Sequence, residues 1–244
     1  WGEDSHHVGE MAAACVQAVQ HHNVMACVKH FALNSIENSR FYVDVQIDER
    51  SLHEVFLPQF RRCVEAGAAS IMSAYNLVNG DHCAHQRWLL EDILRGQWGF
   101  TGFVSSDWVW GVFDAAKGVE AGLDVEMPRA KVYGRPLRRA IARGEVSPAR
   151  LDESVRRILR TKLAFAARPD GEVYSRSQLA CAAHVALAQE AAERSMVLLQ
   201  NRAACLPLTG VERLAVIGEL ATRANTGDHG SSRTSPPFVV NLLD

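Results

Sequence analysis

The chain has 244 residues, 48% of them hydrophobic and 22% charged, with a formal net charge of −2. That composition belongs to a packed globular protein and excludes a disordered, fibrous or coiled-coil chain. Lys and Arg are dispersed, and no apolar run reaches the roughly 18 residues of a membrane span, so neither a nucleic acid nor a membrane is an expected partner.

From the N-terminus, Met11, Ala14, Cys15, Ala18 and Val19 recur at helical spacing. The apolar run at 24–31 predicts a first buried strand. Leu52, Val55, Phe56 and Phe60 predict a second helix, and 69–75 a second strand. Leu89, Leu90, Ile93 and Leu94 predict a third helix, followed by strands at 102–106 and 123–127. Residues 135–143 read as a short helix. Ser147-Pro148 supplies an N-cap and a first-turn proline for the next, which places Leu151, Val155, Ile158, Leu159 and Leu163 on one face. Strand and helix alternate, which implies a parallel sheet, either open and doubly wound or closed into a barrel. Four strands make half a barrel.

Residues 166–182, with Arg168-Pro169-Asp170-Gly171 near the start, read as a linker by turn chemistry. A helix at 183–194 follows. Val197-Leu-Leu199 and Leu214-Ala-Val-Ile-Gly218 then read as the opening of a second α/β unit. The chain opens on Trp1 without a leader and stops at Asp244, too soon for a full second domain, so both ends are expected to continue in a longer polypeptide. Six widely spaced cysteines, with no CxxC pair, read as free thiols and favour a reducing, cytoplasmic setting.

Ligands of parallel α/β folds lie at the carboxyl ends of the strands. Those ends carry Lys29-His30-Phe31, Ser73-Ala-Tyr75-Asn76, Ser105-Ser-Asp107-Trp108 and Asp124-Val-Glu126-Met127-Pro128. Carboxylates, a cation, an imidazole and aromatic rings around one mouth suit sugar chemistry. A carboxylate there stabilises an oxocarbenium-like transition state, charged donors bind hydroxyls, indole faces stack on pyranose rings, and no cofactor is needed. Plainer explanations exist for each residue. Asp107 could cap a helix at 109–117, Lys29 and His30 could be rim polar groups, Tyr75 and Trp108 could be packing residues, and Glu126 could pair with an arginine.

Longer words in the sequence narrow the choice. Val28-Lys-His-Phe-Ala32 with Asn34 and Arg40, Ser70-Ile-Met-Ser-Ala-Tyr-Asn76 with Val78-Asn-Gly80, Trp98-Gly-Phe-Thr-Gly-Phe-Val-Ser-Ser-Asp-Trp108 and Ala121-Gly-Leu-Asp-Val-Glu-Met-Pro128 closely resemble glycoside hydrolase family 3, of the β-glucosidase and β-xylosidase type. Trp1-Gly-Glu-Asp4, Gly9-Glu-Met11, Ser195-Met-Val-Leu-Leu-Gln-Asn201 and Leu206-Pro-Leu208 match as well, in order along nearly the whole chain.

The resemblance implies a (β/α)8-type barrel followed by an α/β sandwich domain. Residues 1–165 would supply the C-terminal half of the barrel, 166–190 a linker and leading helix, and 191–244 the beginning of the sandwich. It implies that Asp107 is the nucleophile, that Lys29 and His30 bind sugar hydroxyls in the innermost subsite, that Tyr75 sits beside the nucleophile and that Trp108 lines the entrance. Met72 and Arg40 fall on family positions near the pocket. A nearby Lys29 would favour the ionised form of Asp107 that attack requires. The family's early strands, with an Asp and an Arg for the sugar, would precede Trp1. Its acid/base Glu would lie beyond Asp244, so Glu193, Glu212 and Glu219 are not assigned that role. Gly230-Ser-Ser-Arg233 resembles a second-domain loop that approaches the active site. Ala-Leu-Asn after the Lys-His-Phe motif, instead of Pro-Gly-His, places the chain with the glucosidases rather than the β-N-acetylhexosaminidase branch.

The implied activity is a retaining hydrolase acting on a small-molecule or oligosaccharide β-glycoside, β-D-glucose being the sugar released, with β-xylosidase as the alternative because xylose lacks only the hydroxymethyl group. Two readings from other classes stay open: Lys29 as the Schiff-base lysine of a barrel aldolase, and an inactive sugar-binding remnant.

Overall fold

The computed structural model describes residues 2–169, 174–223, 226–227 and 230–243. Trp1, the Asp170-Gly171 turn of the expected linker and Asp228-His229 lie outside the described residues. The chain forms two compact units, Trp1–Glu172 and Val173–Asp244.

The first unit opens with helix α1, Ser5–His21, capped by Asp4, whose carboxylate accepts from the His7 amide at 2.6 Å. Strand β1, Cys27–Phe31, follows, then the short β2, Asp44–Val45. The helix expected through 52–60 is interrupted: a single turn α2, Glu49–Ser51, widens into the π-helical Leu52–Phe56 before α3, Pro58–Glu65. Pro58 has no N–H to donate, so the preceding turn loosens and the Leu57 amide reaches back to the Leu52 carbonyl at 3.0 Å.

Next come β3 (Ser70–Ser73) and the hairpin of β4 (Leu77–Val78) and β5 (Asp81–His82). Asn79 and Gly80 turn that hairpin with positive φ of 48° and 98°, as a tight Asn-Gly turn demands. The π-helix Trp88–Gln97, β6 (Phe103–Trp108), α4 (Ala115–Ala121) and β7 (Val125–Met127) complete the pattern, followed by α5 (Arg135–Ala142) and α6 (Pro148–Ala166).

The main sheet has the order β1-β3-β6-β7 and every pair is parallel, so all four carboxyl ends share one edge of the sheet. Ile71 pairs with Val28 on one side and Val104 on the other, and Met72 stands in register with Ser105. The fold is α/β with a parallel sheet. The central strands β3 and β6 are buried along almost their whole length. Phe31, Leu52, Ile71, Leu89, Leu90, Ile93, Val104 and Leu123 make one continuous core between the sheet and the helices. β2, β4 and β5 form a small separate sheet beside the carboxyl ends of β1 and β3.

The apolar stripe of α6 is only partly covered: Leu151 packs against the core, Val155, Leu159 and Leu163 are exposed, and Ser154, Thr161 and Phe165 are buried. Arg150 and Arg157 on the same helix reach Glu91 and Asp124, and those ion pairs fix which side of α6 faces the core. In the second unit, α7 spans Ala182–Ser195, but no strand forms among the described residues. Leu199 and Ile217, in the two apolar runs after that helix, are 92% and 93% exposed. A strand needs a neighbour for its N–H and C=O groups, and among the described residues none pairs with either run.

Candidate active site

Asp107 is the penultimate residue of β6 and only 6% exposed. Its Oδ1 accepts from the Trp108 amide at 2.7 Å, which fixes the carboxylate plane. Its Oδ2 is buried with no hydrogen-bond partner among the described residues, and His30 Nε2 stands 3.5 Å from it. Burial holds the His30 imidazole below its ordinary value, with the charge of Asp107 pulling the other way and Lys29 adding to the depression. His30 is therefore a neutral ring at neutral pH.

Tyr75, just past β3, is buried and donates its hydroxyl to the Trp108 carbonyl at 2.7 Å. Burial first, and then the Asp107 charge, push the phenol up to about 12, so it stays protonated as a donor. Arg40 pairs with Glu37 and lies over the rings of Phe41 and Tyr75, at 5.0 and 5.1 Å from their centroids. Phe41 in turn packs on Tyr75 at 4.7 Å. Asp107, His30, Tyr75 and Arg40 therefore converge at the carboxyl ends of β1, β3 and β6. Trp108 continues outward from Asp107, 46% exposed. Met72 is buried one strand away.

Not every candidate joins them. Lys29 is exposed, and no carboxylate lies within ion-pair distance of it among the described residues. The group facing Asp107 is His30 instead. Asp124 precedes β7 and is turned into the body of the unit, where it binds Arg95 at 2.7 Å, Arg157 at 3.2 Å and the Val104 amide at 2.8 Å. It is a structural anchor rather than a mouth residue. Glu126 pairs with no arginine; its carboxylate accepts from the amides of Val132 and Tyr133, at 2.8 and 2.7 Å, and anchors the loop after β7. Nor does Asp107 cap a helix. The next helix, α4, begins eight residues later and is capped by Asp114, whose carboxylate accepts from the Lys117 amide at 2.9 Å.

The loop between Asp107 and α4 carries what the sequence reading missed. A Cβ on Gly111 would stand 2.4 Å from the Asp107 carbonyl oxygen and 2.6 Å from its nitrogen, so only glycine lets this loop fold over the backbone of the strand end. Gly111→Ala in the complete protein is expected to displace the carboxylate and lower kcat about a hundredfold with a smaller change in KM. Steady-state kinetics checks this, and an unchanged kcat would remove the positioning role. His82 and His85, three residues apart after the Asn-Gly turn, also belong to this surround, and their spacing was the available signal. His82 Nδ1 bonds to the Tyr75 carbonyl at 3.1 Å.

A larger cavity, about 700 Å3, lies on the other side of β1, walled by α1 and α3 through Val16, Val19, Met25 and Phe60. It reaches Lys29 and His30 but not Asp107, and Asn34, Ser35 and Gln59 add polar groups to its largely apolar wall.

The profile of the Glycosyl hydrolase family 3 N terminal domain matches residues 1–161. The chain is 36% identical over 247 residues to the thermostable beta-glucosidase B of Acetivibrio thermocellus, covering 100% of this chain and 32% of that protein. It is 35% identical over 254 residues to an exo-alpha-(1->6)-L-arabinopyranosidase of Bifidobacterium breve, covering 100% and 33%. Among solved structures, beta-glucosidase 3B from Thermotoga neapolitana in complex with alpha-D-glucose superposes with a TM-score of 0.88 at 34% identity, over 100% of this chain and 35% of that one. The beta-glucosidase of Kluyveromyces marxianus in complex with glucose gives 0.88 at 31%, over 100% and 30%. The chain thus spans about a third of the length of these relatives. With the match running through both β1 and the segment that ends on Asp107, the chain belongs to glycosyl hydrolase family 3.

Proposed function

We propose that this chain carries the nucleophile half of a retaining β-glycosidase active site, with Asp107 as the attacking carboxylate. The observation that carries this reading is the carboxylate itself: buried at a strand's carboxyl end, one oxygen fixed by an amide and the other free, facing a neutral imidazole. In the first step Asp107 Oδ2 bonds to the anomeric carbon as the C1–O bond to the leaving group breaks, and a carboxylic acid from outside this chain protonates the departing oxygen. In the second step water adds to C1, the ester breaks and the carboxylate returns, so the configuration is retained.

His30 supplies a hydrogen bond to a sugar hydroxyl, Lys29 a second from the exposed side of β1, and Trp108 a face at the entrance. Tyr75 and Arg40 brace the nucleophile, and Met72 closes the floor. The substrate class is a small-molecule or oligosaccharide β-glycoside and the sugar released is β-D-glucose, in line with the relatives named beta-glucosidase. Residues 1–165 are then the C-terminal half of a (β/α)8-type barrel, 166–190 the linker and leading helix, and 191–244 the opening of an α/β sandwich domain. A Schiff-base role for Lys29 is disfavoured because its side chain is exposed rather than desolvated.

A 2-deoxy-2-fluoro-β-glucoside with a good leaving group tests the assignment directly, since it needs no acid and hydrolyses slowly once attached. Peptide mass analysis of the inactivated complete protein should find the fluorosugar on the peptide containing Asp107. A label on another residue, or none with an active enzyme, overturns the reading.

A further inference from the structure

The loop that follows Asp107 is held by a second group of titratable side chains outside the proposed site. His85 ends the 3-10 turn Cys83–His85 behind the β4–β5 hairpin and is buried. Its Nε2 accepts from two successive amides, Phe113 and Asp114, each at 3.3 Å. A nitrogen that accepts carries no proton, so the ring proton sits on Nδ1, which faces Asp81 Oδ1 at 3.5 Å. Asp81 Oδ2 meets Lys117 Nζ at 3.3 Å, and the Lys117 amide returns to Asp114 Oδ1. The circuit closes. Beside it, the His82 ring lies on that of Phe113 at 4.6 Å while its Nδ1 holds the Tyr75 carbonyl.

We infer that His85 is a positioning residue, a neutral-imidazole clasp whose lone pair fastens the loop 109–114 to the hairpin and so keeps Gly111 seated on the backbone of Asp107. The loop needs a fastener. Val109, a β-branched residue, is held at φ 68°, a conformation that costs about 1–3 kcal/mol and persists only where the surroundings impose it. Among the described residues, the hydrogen bonds and ring contacts from the loop back to the neighbouring hairpin run through His85 and His82, beside the exposed ion pair of Lys117 and the packing of Val112 in the core.

Protonation opens the clasp, because a charged imidazole has two donors and no acceptor. The groups facing His85 are Asp81 and His82 from the hairpin and Asp114 and Lys117 from the loop and α4. Burial dominates and lowers its pKa below 6.5; Asp81 and Asp114 oppose, while His82 and Lys117 assist. With the folded value below the unfolded one, the clasp contributes fully above pH 6.5 and is lost as pH falls through the lowered value. The clasp itself does not depend on what Asp107 does, but its effect on turnover rests on the reading of Asp107 as nucleophile.

Nitrogen NMR of the histidine rings and amide exchange at Phe113 and Asp114, corrected for intrinsic rates, read the clasp without any assay of hydrolysis. In the wild-type chain at about pH 8, Nε2 of His85 should report as the unprotonated nitrogen, and the two amides should lose protection tenfold or more by about pH 5. His85→Gln keeps an acceptor that does not titrate, so protection should persist at the acid end. His85→Leu should lose it at both. In the complete protein, His85→Leu should lower kcat more than it raises KM, and His85→Gln should restore neutral-pH turnover and shift the acid limb downward. A proton on Nε2 at about pH 8, or unchanged protection in His85→Leu, overturns the clasp. If His85→Leu does not fold, the tautomer and the His85→Gln profile decide it alone. Clasp behaviour intact in a protein that never labels at Asp107 overturns only the nucleophile assignment.

Discussion

Replacing Asp107 by glycine in the complete protein is expected to lower kcat on an aryl β-glucoside by about three to five powers of ten, or roughly 4–7 kcal/mol of barrier. The size follows from the role. In the proposed role the carboxylate makes and breaks the bond to C1, whereas His30, Lys29 and Trp108 would remain to bind the sugar, so KM should move far less than kcat. Among the described residues the carboxylate accepts from the Trp108 amide and interacts with the Tyr75 hydroxyl, with no ion pair closer than His30 at 3.5 Å, so removing the side chain breaks few contacts and the unit should stay folded. Added azide should then enter the vacated space, attack C1 from the side the carboxylate used, and release the α-glycosyl azide. That product has one inversion instead of two, and its anomeric configuration separates a lost nucleophile from a damaged fold. Near-wild-type turnover by Asp107→Gly would remove the nucleophile assignment altogether.

The strands were legible because apolar runs between helical periods leave few alternatives: the observed Cys27–Phe31, Ser70–Ser73 and Val125–Met127 all fall inside the expected spans and Phe103–Trp108 overlaps its own, although the first, expected to be buried, is covered fully only at Phe31. The convergence of His30, Tyr75 and Asp107 followed from a rule about strand ends and needed no side-chain detail. What escaped was conditional on distance. Asp124 and Asp107 are both acids at a strand, and only the position of Arg95, 29 residues upstream of Asp124, tells an anchor from a reactive group. The apolar stripe of α6 was read correctly as a stripe, but arginines on the same helix set its orientation through partners on other elements. Gly111 and His85 act by close approach to residues four and twenty-eight positions away, and a spacing rule carries no such information.

Asp124→Ala is expected to be among the most destabilising single changes in the first unit, by about 3–5 kcal/mol. The Asp124 side chain has no exposed surface, and Arg95 beside it is 8% exposed. Burial lowers the Arg95 guanidinium from its ordinary range and the Asp124 charge offsets that, so taking the acid away leaves a buried cation with a weaker partner, Glu91 at 3.6 Å. The Val104 amide in β6 loses its acceptor at the same time. Glu91 cannot fully substitute. Burial raises it, but the Arg150 hydrogen bond and the charges of Arg157 and Arg95 hold it ionised and already committed to three arginines. Equilibrium denaturation of the chain, followed by the near-ultraviolet signal of its tryptophans, should show the midpoint fall steeply. Asp124→Asn should fall between the two, since it keeps an acceptor for Val104 while losing the charge. Glu145→Ala, which breaks an exposed pair with Arg143, should leave the midpoint where it was. Equal effects of Asp124→Ala and Glu145→Ala would mean that water reaches this network, and that these ion pairs add nothing to the backbone pairing of β6 and β7.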